Sequence, residues 1–248
     1  MPSLPRAPPL TAVPPTTCEV PWSDIDTVLL DLDGTLLDLH YDNYFFGHYL
    51  PTHLATVRGV PVEQVRDEFT ARCRAVEGTL AWYCLDYWEH ELDIELAPLK
   101  RAVADRVNWR PHAPAFLADL AAAGKRRVLA TNAHPGSLAI KAERIAFGDH
   151  LEASHSAHEL GAPKEHSRFW SDLQRREDFD PARTLFVDDN PRVLAAARDW
   201  GVRHVLGVSR PDSQRPANAL TGFRAVADFD QLLRPRGAPA TGDRAGRT

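Results

Sequence analysis

Hydrophobic and polar positions divide the chain into two textures. The run Val28-Leu29-Leu30 is apolar without alternation and closes on Asp31, the pattern of a strand covered on both faces. From Tyr41 to Val107 apolar residues then recur at helical spacing. Helices are expected over Asp42–Arg58, Val62–Val76, Leu85–Leu92 and Ala97–Val107, with Pro61 at a helix start and Gly59 and Gly78 as breaks. No strand is expected among them. After Ala113 the texture alternates: helix Ala115–Ala123, strand Arg127–Thr131, helix Leu138–Phe147, helix Ser167–Glu177, strand Thr184–Val187, helix Arg192–Trp200 and strand His204–Leu206. Strands alternating with helices predict an α/β fold on a parallel sheet. A helical block inserted after the first strand of such a sheet is expected over the carboxyl ends of the strands, as a lid.

The two ends carry neither texture. Met1 to Pro21 and Pro235 to Thr248 are rich in proline and small or polar residues, which predicts disordered tails around an ordered body of Trp22 to Leu233. The first tail has no apolar core of a secretory signal and no span for a bilayer. No internal repeat is seen. With 248 residues, 44% hydrophobic and 25% charged, the chain is long enough for one large domain or a domain with an insertion. Its net charge of -5 offers no basic footprint for nucleic acid and no polybasic patch for a membrane, so small-molecule chemistry is favoured. Cys18, Cys73 and Cys84 are odd in number, scattered and without a Cys-x-x-Cys pair, indicating neither a disulfide framework nor a structural zinc site. A cytoplasmic location is the simplest expectation.

Candidate chemistry collects where strands end. Asp31 and Asp33 are spaced i, i+2, so an extended backbone points both carboxylates to one side, and Gly34 then permits a sharp turn. Like charges held this close call for a cation, and Mg²⁺ fits as a hard ion taking carboxylate oxygens, waters and a substrate phosphate. Thr131-Asn132 closes the next core strand with a hydroxyl and an amide able to donate to phosphate oxygens, though alone the pair reads first as a turn former. Lys164 alone reads as a surface charge. Asp188-Asp189 follows a strand and precedes Asn190-Pro191, a helix start. Helix capping accounts for one of the two acids but not for both.

In this order the four marks resemble the haloacid dehalogenase (HAD) superfamily: an Asp-x-Asp-Gly-Thr loop, a strand-end Ser or Thr, a Lys and an acidic pair. Trp22-Ser-Asp-Ile-Asp, Asp42-Asn-Tyr-Phe, Gly78-Thr-Leu-Ala-Trp-Tyr-Cys-Leu-Asp-Tyr-Trp and Thr131-Asn-Ala-His-Pro further resemble the bacterial GMP/IMP 5′-nucleotidases. The chain departs from the superfamily pattern in Asn190, where Ser is more frequent, and Glu165, where many members place Pro. The resemblance implies a three-layer Rossmann-like core of residues 22–40 and 111–234, a helical cap of 41–110, and tails of 1–21 and 235–248. It implies Mg²⁺-dependent hydrolysis of purine nucleoside 5′-monophosphates by a monomer or homodimer. Asp31 would be the nucleophile and Asp33 the general acid and base. Mg²⁺ would be held by Asp31, the Asp33 carbonyl and Asp189, with Asp188 beside them or behind them, and phosphate by Thr131, Asn132 and Lys164. An acid at Asp33 argues against a dehalogenase, because halide leaves without a proton. A sugar phosphatase, a phosphoglycolate phosphatase, a phosphomutase and a non-catalytic binding module are the alternatives. Asp42, Asn43, Tyr44, Trp82 and His134 are the candidates for contacting substrate. Trp82, Tyr83, Tyr87 and Trp88 offer stacking faces, or else only the lid's own core.

Overall fold

A computed structural model describes residues 19–233; the two predicted tails fall almost wholly outside the described residues. Six strands form one parallel sheet: β1 (Thr27–Leu30), β2 (Arg126–Thr131), β3 (Ala153–Ser156), β4 (Thr184–Asp188), β5 (His204–Val208) and β6 (Ala225–Val226). Their order is β3-β2-β1-β4-β5-β6. Thus β1 lies between β2 and β4, with Leu30 level with Leu129 on one side and Val187 on the other. The carboxyl ends of these three strands are therefore adjacent. Every predicted polar mark except Lys164 sits on one of them.

All four residues of β1 are buried, and alternate side chains enter different apolar clusters. Val28, Leu30, Leu129, Leu185 and Val187 belong to one cluster, and Leu29, Val128, Ala130 and Phe186 to the other. A sheet buried on both faces needs apolar residues at both parities, which explains the unbroken hydrophobic run. The three layers follow. Helix α7 (Ala113–Ala122) covers the first face through Phe116 and Leu117. On the second, α10 (Ser167–Glu177) and α11 (Pro191–Trp200) bring Phe169, Trp170, Leu173 and Leu194.

Between β1 and β2 the named elements are all helical: α1 (His40–Tyr44), α2 (Leu50–Arg58), α3 (Val62–Val76), α4 (Leu80–Tyr83), α5 (Leu85–Leu92) and α6 (Leu96–Ala102). A π-helical turn, Phe45–Tyr49, joins α1 to α2 inside the helix expected over Asp42–Arg58. The chain leaves and re-enters the sheet layer at one point. Leu37 bridges Trp109, the Asp38 N–H donates to the Asn108 carbonyl at 2.9 Å, and the Arg110 N–H donates to the Leu36 carbonyl at 2.8 Å. Gly59 ends α2 in the left-handed region and Pro61 caps α3, as the breaks predicted.

The remaining helices are α8 (Pro135–Ala142) and α9 (Ala157–Leu160). Helix α8 corrects the expected Leu138–Phe147: it starts three residues earlier because the His134 ring accepts the Gly136 N–H as a cap, and Phe147 opens a separate 3₁₀ turn. The expected Ala97–Val107 likewise breaks into α6 and a 3₁₀ turn over Ala104–Arg106. Strand β3 was not expected, since Ala-Ser-His-Ser at a sheet edge carries no apolar pattern. No helix among the described residues is long and apolar enough to cross a membrane.

Candidate active site

Where β1 ends, Gly34 turns the chain at φ +91°, and a Cβ there would lie 2.8 Å from the Asp189 carboxylate and 2.9 Å from Pro211. Only glycine both adopts that backbone and leaves room for the acid. The turn brings Asp31, Asp188 and Asp189 together, with one carboxylate oxygen from each within 4.8 Å of the others. Lys164 reaches into the group, its Nζ 2.5 Å from Asp31 Oδ1 and 2.7 Å from Asp188 Oδ2. It is held there from behind: the Trp170 indole donates to its carbonyl at 2.8 Å, and its own N–H donates to Asn132 Oδ1 at 2.9 Å.

Three carboxylates face one ammonium in this group, which leaves a deficit of positive charge. Burial pushes Asp31 up to about 6, with Lys164 opposing and Asp188 adding. Burial, Asp188 and Asp31 raise Asp189 well above the usual carboxylate range. An all-oxygen donor set, short of cationic charge and gathered at one strand end, fits a hard divalent ion such as Mg²⁺.

A second charged group adjoins the first. Lys141 Nζ lies 2.6 Å from Asp33 Oδ1 and 2.7 Å from Asp42 Oδ2, and Lys100 Nζ lies 2.8 Å from Asp42 Oδ1. Lys100 and Lys141 are at most 2% exposed. Lysines so buried persist charged only when paired, and here the pairs alternate as Asp33, Lys141, Asp42, Lys100. Burial alone would raise Asp42, but Lys100 and Lys141 outweigh it and hold that carboxyl below its ordinary range. Asp33 moves the other way: burial pushes it up to about 6, with Lys141 opposing and the charges of Asp42 and Asp31 adding. Lys100 also lies 4.7 to 4.9 Å from the ring centres of Tyr41 in α1 and of Phe45 and Phe46, which open the π-helical turn.

Both groups open into one cavity of about 700 Å³. Its floor holds Asp31, Asp33, Thr131, Lys164, Asp188 and Asp189. Its lining is also aromatic: Phe46, Phe69, Trp82 and Trp88, with Phe46 and Phe69 parallel to within 7°. Thr131 is buried, its hydroxyl accepting the Ala133 N–H at 3.1 Å. Asn132 donates through Nδ2 to Glu165 at 3.1 Å, and Glu165 accepts the Tyr83 hydroxyl at 2.6 Å, tying the helical block to the core. Glu165, one of the two departures from the superfamily pattern, is thus that tie.

The substrate candidates take varied positions. Asn43 and Trp82 line the cavity, with Asn43 Nδ2 donating to Asp212 at 2.7 Å and Trp82 37% exposed. Asp42 and His134 also line it, Asp42 with both oxygens engaged by lysines. Tyr44 stands apart from the lining, under the Arg106 guanidinium at 3.9 Å. Tyr83 and Trp88 reach the cavity, whereas Tyr87 packs edge-on against Trp88. Sequence reasoning missed Lys100, Lys141 and the tie through Glu165. A lone charge in the otherwise uncharged Ser137-Leu-Ala-Ile-Lys-Ala of α8 was the available signal.

A parallel sheet with an Asp-x-Asp turn, a buried lysine and an acidic pair at its carboxyl edge defines the class, and the chain belongs to the haloacid dehalogenase-like hydrolases, whose family model matches residues 25–201. It is therefore an enzyme of the hydrolase type. Among characterised relatives, the GMP/IMP nucleotidase YrfG of Escherichia coli strain K12 is 41% identical over 214 residues, covering 86% of this chain and 96% of that protein. A HAD phosphatase from Thermococcus onnurineus superposes with a TM-score of 0.69 at 16% identity, covering 84% of this chain and 96% of the other. CbbY from Rhodobacter sphaeroides, in complex with xylulose-(1,5)bisphosphate, gives 0.57 at 17% identity, over 84% and 96%. These two likenesses establish the shared fold.

Proposed function

We propose that the chain is a Mg²⁺-dependent phosphatase that removes phosphate from purine nucleoside 5′-monophosphates, GMP and IMP foremost. The carrying observation is a single cavity lined both by carboxylates with lysines and by aromatic rings. The floor suits a phosphate with its cation, and the rings suit a planar base, for which stacking on an aromatic ring contributes about 1–3 kcal/mol. The identity to the Escherichia coli nucleotidase supports the same reading. Residues 41–110 act as a cap that covers the site, and 22–40 with 111–234 as the core that carries it.

Asp31 attacks phosphorus and the bond to the ribose 5′-oxygen breaks, leaving the phosphoryl group on the Asp31 carboxylate. Asp33 gives its proton to the departing oxygen. Water then attacks the aspartyl-phosphate, Asp33 takes a proton from it, and orthophosphate leaves. A carboxyl lifted to about 6 suits both halves of that exchange. Lys164, the Thr131 hydroxyl and the Asn132 backbone N–H neutralise the equatorial phosphoryl oxygens. The Asn132 amide is engaged elsewhere, by Lys164 and Glu165. Asp31, Asp189 and the Asp33 carbonyl, with Asp188 adjoining, would hold Mg²⁺, which would supply positive charge to offset that of the phosphate.

Orthophosphate release from GMP, IMP, AMP, pentose phosphates and phosphoglycolate under excess Mg²⁺ tests the assignment. A kcat/KM for GMP and IMP about tenfold or more above the sugar esters is expected. Equal or better turnover of the sugar esters rejects a nucleotidase. Isomer formation without free phosphate indicates a mutase.

A further inference from the structure

Away from the carboxylate floor, Cys84, His134 and His158 bring a sulfur and two ring nitrogens within 4.8 Å of one another. They come from three separate places. Cys84 caps α5 in the helical block, His134 caps α8 after β2, and His158 lies in α9 after β3. The two rings meet edge to face at 4.8 Å. His134 Nδ1 accepts the Gly136 N–H, and its Nε2 lies 3.7 Å from an oxygen of the exposed Asp86. Cys84 Sγ accepts the Tyr87 N–H at 3.4 Å.

His158 carries the argument furthest. Its Nε2 is buried and has no hydrogen-bond partner, while the backbone of Asn132 hydrogen-bonds the ring. That bond falls to Nδ1, leaving an unused lone pair on Nε2. A buried, unsatisfied ring nitrogen normally costs about 1–3 kcal/mol, and the proposed hydrolysis makes no use of it. Metal-binding histidines show this same arrangement, with one nitrogen fixed by a backbone carbonyl and the other free to coordinate. Burial, with His134 adding, holds His158 below the ordinary imidazole range, consistent with a neutral ligand.

We propose that Cys84, His134 and His158 form a binding site for a soft divalent transition metal, zinc above all, which joins the helical block to the Thr131–His134 turn. One sulfur and two nitrogens are the donors zinc prefers and Mg²⁺ avoids. With Zn–N and Zn–S bonds of about 2.0–2.3 Å, tetrahedral donors stand about 3.5 Å apart, so small side-chain rotations close the site. Asp86 or water completes the shell. Binding replaces the Cys84 thiol proton by a sulfur–metal bond, releasing one proton with no change of oxidation state. His134 also lines the cavity, so the metal staples the helical block beside the floor and slows turnover. The residues lie far apart in sequence, which is why cysteine spacing gave no sign of them. The inference does not depend on which phosphate ester is the substrate.

The test is a titration of Co²⁺ into the full chain with Mg²⁺ in excess, read by the near-ultraviolet thiolate-to-cobalt absorption, followed by Zn²⁺ competition against a chromogenic chelator. One equivalent of Co²⁺ is expected to develop the band and Zn²⁺ to bleach it. Cys84→Ser removes the band, His158→Gln weakens Zn²⁺ by about tenfold or more, and a Cys18→Ser, Cys73→Ser variant changes neither. Cys84 and His158 lie off the cavity, so circular dichroism and Mg²⁺-supported phosphate release report whether each variant is folded. Absence of the band in the parent protein, or its survival in Cys84→Ser, overturns the proposal. So does unchanged Zn²⁺ affinity in His158→Gln, which decides alone if Cys84→Ser fails to fold.

Discussion

Lys141 Nζ stands 2.6 Å from the carboxylate of Asp33, the buried end of α8 meeting the turn after β1. Asp33 thereby has a fixed rotamer and a fixed electrostatic counterweight, both supplied by a residue remote in sequence. Because the same ammonium also binds Asp42, the acid at the floor and the first helix of the block are oriented by one cation.

Replacing Lys141 by Met leaves Asp33 and Asp42 facing each other without their shared cation. The variant is expected to lose about 3 kcal/mol in urea denaturation and about tenfold or more in kcat. Adding Asp33→Asn removes one of the two acids while Asp42 keeps its pairing with Lys100, and should recover part of the stability. A double variant no more stable than Lys141→Met would refute the shared-cation account.

Gly34→Ala forces a Cβ against Asp189 at a backbone angle that alanine resists. A loss of about 1–3 kcal/mol is expected. The Mg²⁺ concentration needed for half-maximal turnover should rise about tenfold. Alanine here with parental metal dependence would show that Asp189 is not among the ligands.

Chelation with EDTA should abolish phosphate release, and Mg²⁺ should restore it. An ion bound only by the folded chain stabilises it by about 2.7 kcal/mol at a hundred times its Kd, so Tm should climb with Mg²⁺. Asp189→Asn should flatten that climb.

His112 Nδ1 lies 2.8 Å from Asp228, and this hydrogen bond, with the charge of Asp228, raises the imidazole above its ordinary value. The pair's contribution to stability is complete below about pH 6.5, the unfolded imidazole value, and is lost as pH rises through the higher folded one. The His112 ring is half exposed, so solvent screens the pair and the effect is small. Melting temperature against pH should fall less steeply in His112→Gln than in the parent over that window.

The chemistry at the floor was legible because Asp31, Asp33, Thr131, Asp188 and Asp189 all lie at strand ends, where a period of two and a following turn fix their side. Lys164 was legible only in their company. Lys141 and Lys100 were hidden for a physical reason: each gains its meaning from Asp42, which lies 99 and 58 residues away, and no local pattern encodes that pairing. Tyr44 shows the reverse case. It was a substrate candidate because it closely follows the Asp-x-Asp motif, but successive residues on a helix point about 100° apart, and Tyr44 turns to Arg106. Strand β3 escaped because its neighbour β2 supplies the order that its own polar residues do not.

The pinch at Leu37 and Trp109 brings the two ends of the long helical excursion to adjacent positions. An excursion tethered so narrowly behaves like a tool on a common handle. Among the described residues the six strands pair only with one another, so the excursion can change length between those two points without shifting their register.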